Sequence, residues 1–187
     1  YKKWRTTIIF FWSQCTRKRS REDITVYEVI DNFLNRNDFL KIKELIADSS
    51  DFPWYYSPEI NKHENSYKCY FTHVLFSGVT LNKSEYFKVI EPLVKAINPS
   101  AFIRIKCNLY TATEKLITHA SHTDYSYKHQ GALFCLNNCD GGTIMEDDKL
   151  IQAVENRIIF FDPSTPHAST TTTNAKSRVN INLNYFK

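Results

Sequence analysis

His122-Thr123-Asp124 sets an imidazole and a carboxylate two residues apart, which on an extended strand puts both on one face. Both are metal-ligand types, but the pair is a weak signal, since chance alone supplies roughly 0.3 such pairs in a chain with six histidines. His167 strengthens it, because it follows the apolar strand pattern 157–161 across the turn Asp162-Pro163-Ser164-Thr165-Pro166. Two imidazoles and one carboxylate cover one face of an octahedral ion and leave three positions open, a set that suits redox-active Fe(II). The same donors suit zinc in a hydrolase, which would need a general base as well, with Glu114 as the candidate. Arg178 comes eleven residues after His167, and a planar guanidinium can take a carboxylate through two parallel hydrogen bonds. Arg104 and Lys106 are alternative anion anchors, or members of structural ion pairs.

The elements that must position these residues are legible from periodicity. Residues 24–30 alternate and are β-branched, which predicts a strand. A helix is then predicted to start at Asn37-Asp38, with Phe39, Ile42, Leu45 and Ile46 on one face. Residues 53–56 and 67–76 read as aromatic strands. Ser84 caps a second helix that turns Phe87, Ile90, Leu93, Val94 and Ile97 to the core; Pro92 kinks it or sits in a restarted first turn, and Pro99 ends it. Strands are predicted over 102–110, 117–124, 131–137, 143–146, 149–154, 157–161, 168–173 and 178–186. Helices first and many short strands afterwards make an α+β chain whose C-terminal half is a sandwich or barrel. Two of these strands carry a polar face: Arg104, Lys106, Asn108 and Tyr110 on one, Arg178, Asn180, Asn182 and Asn184 on the other. Their company with the candidate ligands predicts a polar-lined barrel interior in place of a solvated outer face.

At these residues the chain resembles the Fe(II)/2-oxoglutarate-dependent oxygenases, over roughly residues 24–186. It is most like the small prolyl-hydroxylase-like members found in marine phages and bacteria. The motifs that carry the resemblance are His122-Thr123-Asp124, Asp140-Gly141-Gly142-Thr143, Arg157-Ile158-Ile159-Phe160-Phe161-Asp162, His167, and Ser177-Arg178-Val179-Asn180. Asn108-x-Tyr110 is similar to an Asn-x-Tyr that contacts 2-oxoglutarate in the related alkylation-repair dioxygenases, although Tyr110 reads equally as a core tyrosine. One departure is Asn156, where the family usually has Gly before the strand; Asn also tolerates the left-handed conformation. The resemblance implies a double-stranded β-helix, a jelly-roll or cupin-like barrel with N-terminal helices packed on one sheet. It implies Fe(II) on His122, Asp124 and His167, with 2-oxoglutarate held by Arg178 with Asn108, Tyr110 and Asn180. It implies O2 as oxidant and ascorbate as a candidate further cofactor. The reaction implied is hydroxylation of an unactivated C–H bond, with a peptidyl proline as the candidate, releasing succinate and CO2. The rival classes are a nucleic-acid base dioxygenase, a cupin-like metal hydrolase and a non-catalytic binding barrel.

Composition bounds the rest. Four glycines in 187 residues build neither a G-x-G-x-x-G nor a Walker loop. The longest apolar run, Ile8-Ile9-Phe10-Phe11-Trp12, is far short of the roughly 20 residues of a membrane helix. The net charge of +4 divides unevenly: residues 1–21 hold seven Lys or Arg and no acid, and residues 22–187 sum to −3. A basic, disordered tail over 1–21 and a single domain over 22–187 are expected. An acidic body disfavours nucleic acid as partner and favours a polypeptide or small-molecule substrate, with no membrane role. Five scattered cysteines suit a reducing, cytoplasmic setting, with Cys135 and Cys139 as plain buried or loop thiols. His119 has the wrong parity to share a face with Asp124, and His129 falls in the polar segment 125–130, so both are expected at the surface or in a substrate loop. His63 and His73 have no ligand partner at metal spacing.

Overall fold

The computed structural model describes residues 27–58 and 69–187. The basic segment 1–21, the start of the strand expected over 24–30, His63 and Tyr67 lie outside the described residues. β1 (Tyr27–Ile30) leads into α1 (Arg36–Lys43). The helix is capped by Asn35 and not begun at Asn37. Asn35, Asn37 and Asp38 can all cap, but only the spacing of Asn35 and Asp38 allows a reciprocal pair. The Asn35 side chain accepts from the Asp38 N–H at 3.0 Å and donates to its carboxylate at 2.7 Å. A wider π turn (Glu44–Asp48) continues the helix, and Phe39, Ile42 and Ile46 are fully buried along its inner face.

β2 (Tyr55–Ser57), β3 (Tyr70–Ser77) and β4 (Asn82–Lys83) follow. Ser84 then caps a 3-10 turn (Glu85–Ile90), accepting from the Tyr86 N–H at 3.2 Å. Pro92 sits in the first turn of a restarted helix, α2 (Glu91–Ile97), where its missing N–H costs nothing. Asn98, left-handed at φ 51°, ends α2 just before Pro99.

The strands β5 (Ala101–Thr111), β6 (Gln130–Cys135), β7 (Gly142–Ile144), β8 (Leu150–Gln152), β9 (Ile158–Phe161), β10 (Ala168–Ser169) and β11 (Ser177–Phe186) complete the fold. A large sheet runs β1-β9-β6-β11-β5-β3-β2, with β4 on β3, and a small sheet runs β10-β7-β8. Two antiparallel sheets with the helices on one of them make the expected double-stranded β-helix. Ile105 and Cys107 of β5 and Val179, Ile181 and Leu183 of β11 are buried on the helix-covered face, with Ile42, Ile90 and Leu93 in the same core. A bulge in the β5–β11 ladder puts Phe102 against that core in place of the expected Ile103. The opposite, polar face lines a cavity between the sheets, as the alternation predicts. No helix among the described residues is long and apolar enough to cross a membrane. Cys69, Cys107, Cys135 and Cys139 are free thiols, the last three buried.

Two expected strands are shorter or absent. Residues 117–124 form only isolated bridges, Thr118 to Thr170 and His122 to His167, and 168–173 is a ladder only at Ala168–Ser169. Side chains take the place of the ladder there. Thr171 Oγ1 accepts from the Ile117 N–H at 2.9 Å, and Asp140 accepts from the Thr173 N–H at 2.9 Å and the Thr172 hydroxyl at 2.7 Å. Gly141 and Gly142 are needed for close approach, since a Cβ on either would run into the carbonyl of Thr171 or of Ile151.

Asn156 does more than tolerate its left-handed φ of 60°. Its buried amide accepts from the Leu34 N–H at 3.0 Å and donates to the Leu34 carbonyl at 2.8 Å, tying the approach to α1 onto the β9 turn. Asn156→Ala is expected to destabilise the protein by about 2–4 kcal/mol, from backbone strain plus two orphaned Leu34 groups. Asn156→Gly should recover only the strain component, and urea unfolding of the two variants separates the contributions.

Candidate metal centre

His122 and His167 face each other because their backbones form a two-bond bridge: the His122 N–H donates to the His167 carbonyl at 2.9 Å and the His167 N–H returns the bond at 3.0 Å. Asp124 is anchored by its N–H to the Pro163 carbonyl at 2.9 Å, so the 162–166 turn fixes both ends of the site. One ligand atom from each of His122, Asp124 and His167 lies within 4.8 Å of the others, and these three form a possible metal-binding group among the described residues. The His122 and His167 ring centroids are 4.6 Å apart. His167 Nδ1 lies 3.0 Å from the Thr165 carbonyl, which can only accept, so Nδ1 carries the proton and Nε2 is free to ligate. Burial is the largest cause that holds the His122 imidazole below its usual range, which favours the neutral form that can ligate.

Asp124 is the best-supported of the three. Its Oδ1 takes Arg104 Nη2 at 3.3 Å, and its Oδ2 takes the amides of Asn182 at 3.2 Å and Asn184 at 3.0 Å. Burial opposes its ionisation, but the Arg104 charge leads the groups that outweigh burial and hold the carboxyl below the usual range. Arg104 is therefore a partner of the ligand carboxylate, and its guanidinium also lies over the Tyr125 ring at 5.4 Å.

Arg178 is 1% exposed. Its Nε donates to the Thr170 carbonyl at 3.0 Å and its Cζ lies 4.4 Å from the centroid of the Tyr110 ring, while Nη1 and Nη2 have no partner. Two buried, unpartnered guanidinium nitrogens lining a cavity have the donor geometry that suits an oxyanion. Asn108, Asn180 and Tyr110 line the same cavity as the triad and Arg178. Asn108 donates to Asn180 Oδ1 at 3.0 Å, leaving its own Oδ1 unpartnered. Lys106 is also in this cavity, with Tyr70 Oη at 3.0 Å from its Nζ.

The flanking histidines differ from expectation, for both are buried. His119 stacks on Tyr110, with centroids 5.4 Å apart, and its Nδ1 bonds the Ser169 hydroxyl at 2.8 Å. His129 lies 2.8 Å from the Tyr127 carbonyl through Nδ1 and 2.8 Å from Asn184 Oδ1 through Nε2. Asn184 donates to Asp124, so its oxygen is left for His129, and a His129–Asn184–Asp124 chain supports the carboxylate. Nothing in local sequence signals His129, because its partner is 55 residues away. Asn182 and Asn184 were accessible through strand parity alone. His73 is a satisfied core histidine, bonded to the Pro53 carbonyl and the Ser84 hydroxyl.

No family model and no curated protein matches the chain in sequence. Solved structures match in fold. A prolyl hydroxylase from Trichoplax adhaerens, in complex with a hypoxia inducible factor oxygen degradation domain peptide, matches with a TM-score of 0.62 and 13% identity, over 87% of this chain and 84% of that one. A Pseudomonas putida prolyl-4-hydroxylase gives 0.57 and 13%, over 87% and 93%. The non-heme α-ketoglutarate-dependent epimerase SnoN from nogalamycin biosynthesis gives 0.60 and 10%, over 87% and 76%. The chain thus has the fold of the Fe(II)- and 2-oxoglutarate-dependent oxygenases, with a His-Asp-His group suited to a metal inside it.

Loss of an outer-shell partner typically costs a metal site 10–100-fold, so loss of a ligand should cost more. His122→Ala, Asp124→Ala and His167→Ala are each expected to weaken Mn(II) or Co(II) binding by about 100-fold or more, read by calorimetry, with unchanged far-UV circular dichroism. Undiminished affinity without His167 would remove it from the ligand set.

Proposed function

We propose that the protein is an Fe(II)- and 2-oxoglutarate-dependent dioxygenase that hydroxylates an unactivated C–H bond, with release of succinate and CO2. The observation that carries this reading is the pairing, in one cavity, of the His122-Asp124-His167 group with the unpartnered guanidinium nitrogens of Arg178. A metal hydrolase would need a general base, but Glu114 is exposed and does not line the cavity, whose only carboxylate among the described residues is that of Asp124.

His122, Asp124 and His167 would hold the iron, the two imidazoles through neutral nitrogens. Bound there, the iron would supply dioxygen activation coupled to oxidative decarboxylation of 2-oxoglutarate. Arg178 would take the far carboxylate of 2-oxoglutarate on Nη1 and Nη2, with the Thr170 carbonyl and the Tyr110 face fixing the plane of the fork. Asn108 and Asn180 would complete the polar wall beside it. Leu133 and Phe161 supply the apolar lining that limits water in the site.

For the substrate we favour a polypeptide side chain, a peptidyl proline first. Three supports are the acidic body of residues 22–187, the exposed Tyr55 and Tyr56 on edge strand β2, and the prolyl hydroxylases among the fold neighbours. Tyr56 also pairs across strands with Phe71 at 6.0 Å, and Trp54 packs against Phe52, so part of this aromatic segment serves the core.

Succinate release that requires Fe(II), O2 and 2-oxoglutarate tests the reaction, and the one-oxygen mass gain of a proline-rich peptide, lost in His122→Ala, tests the substrate. Charge-assisted hydrogen bonds contribute about 1.5–3 kcal/mol each, so Arg178→Ala should raise the KM for 2-oxoglutarate about tenfold or more. An unchanged KM would move the anchor to Lys106 or Arg104.

A further inference from the structure

The cavity holds more positive charge than the proposed chemistry uses. Arg104, Lys106 and Arg178 all lie on its polar wall or against the triad, and Asp124 is the one carboxylate among them. With Lys106 protonated the formal balance is +2. Burial, joined by the Arg104 charge, pushes the Lys106 ammonium below its usual range, so an anion beside it would favour its charged form. A divalent ion and a dianionic cosubstrate cancel each other, so loading the site with both leaves that excess in place. A desolvated excess charge is expensive until an anion pairs with it.

Two of the three cations are accounted for. Arg104 is in contact with Asp124 at 3.3 Å, and Arg178 is aimed at the cosubstrate under the reading above. Lys106 remains. Its Nζ has the Tyr70 hydroxyl at 3.0 Å and no carboxylate within 4.0 Å among the described residues. A phenol kept protonated by burial is a dipole and not a counter-ion. Lys106 is opposite Asn182 in the β5–β11 ladder, and the Asn182 amide donates to Asp124, so the backbone of Lys106 is level with a partner of the candidate ligand. Arg178 is opposite Tyr110, four residue pairs along the ladder, about 13 Å by backbone rise. The Lys106 side chain reaches back from its rung to Tyr70, whose ring stacks on Tyr110 at 5.5 Å, so the ammonium lies between the Asp124 rung and the Arg178 end of the same polar wall.

We propose that Lys106 binds a carboxylate of the primary substrate, so that the carbon oxidised lies within side-chain reach of an acidic group. The proposal rests on the oxygenase reading and narrows its substrate class. The carboxylate can be the α-carboxylate of a free amino acid or an acidic side chain beside the target residue in a peptide. Either would bring the negative charge that the cavity lacks, with Tyr70 Oη holding the ammonium in line by accepting a hydrogen bond from Nζ.

The test is calorimetric titration of the oxygen-free Mn(II) protein, saturated with 2-oxoglutarate, in wild-type and Lys106→Met forms. Matched probes differ only in charge: N-acetyl-L-proline and its amide, N-acetyl-L-leucine and its amide, and capped Asp-Pro and Asn-Pro dipeptides. In the wild type, the acidic member of at least one pair should bind tenfold or more tightly than its neutral partner. Lys106→Met should abolish that preference, while 2-oxoglutarate affinity and melting temperature stay within threefold and a few degrees of wild type. The acetyl pairs and the dipeptide pair separate a terminal from a side-chain carboxylate. A preference confined to the leucine pair would keep this proposal and reject proline as substrate. Absence of any acidic preference, its persistence in Lys106→Met, or a matching loss of 2-oxoglutarate affinity would overturn it, the last by assigning Lys106 to the cosubstrate. Lys106→Arg, which keeps the charge if Met does not fold, should retain the preference.

Discussion

The register of β11 against β5 is the constraint on which the site and the core both depend. Tyr110 pairs with Arg178, Asn108 with Asn180, Lys106 with Asn182 and Arg104 with Asn184, while Leu109, Cys107 and Ile105 pair with Val179, Ile181 and Leu183. Because strand side chains alternate, a slip of one residue would drive the guanidinium and three amides into the helix-covered core and turn the aliphatic residues into the cavity. β11 also lies between β5 and β6, so neither of its edges is open to water. Its asparagines are bearable only because they are satisfied in place: Asn180 accepts from Asn108, and Asn182 and Asn184 donate to Asp124. The same bonds that make the polar face affordable orient the candidate metal ligand.

Among the described residues, Arg178 is held without an acid. Its guanidinium lies over Tyr110, which stacks with Tyr70 at 5.5 Å and with His119 at 5.4 Å, and Nε donates to a backbone carbonyl. An ion pair with a protein carboxylate would have stabilised the buried charge, but an incoming carboxylate would then have to displace it. The aromatic face and the Thr170 carbonyl leave Nη1 and Nη2 free instead. Asp124 is treated in the opposite way, with three donors converging on its two oxygens, which suits a carboxylate that must stay ionised and fixed.

How much of this was legible in the sequence follows from the range of the interactions. Period-2 alternation in β5 and β11 gave the polar wall, its members and its direction, since parity depends on neighbours alone. The two prolines and Ser84 located α2 for the same reason. The ligand strand around 117–124 failed, because a strand needs a partner ladder and here Thr and Asp side chains from distant loops replace it. His119 and His129, expected at the surface or in a substrate loop, are buried because their partners, Ser169 and Asn184, come from 50 and 55 residues away. The Asn35 cap was missed among three candidate capping residues, where only three-dimensional reciprocity chooses.

The solved structures that share this fold include prolyl hydroxylases and an epimerase, so the barrel alone does not specify which bond is oxidised. The inner end of the cavity, from Arg178 and Tyr110 to the triad, contains what such a cosubstrate needs and little else. Under the oxygenase reading, selectivity would then come from the outer rungs, where this chain has put Lys106 and Arg104 on β5, with Tyr70 of β3, level with Tyr110, reaching across to Lys106. Aliphatic residues there would have accepted a neutral side chain with no electrostatic cost. Cations beside an ionised Asp124 cost desolvation energy that the apo site only partly recovers through Arg104. On the oxygenase reading, a negative charge arriving with the substrate would recover more, and only when bound beside His122, Asp124 and His167. That would couple recognition of the substrate to its placement at the candidate metal centre.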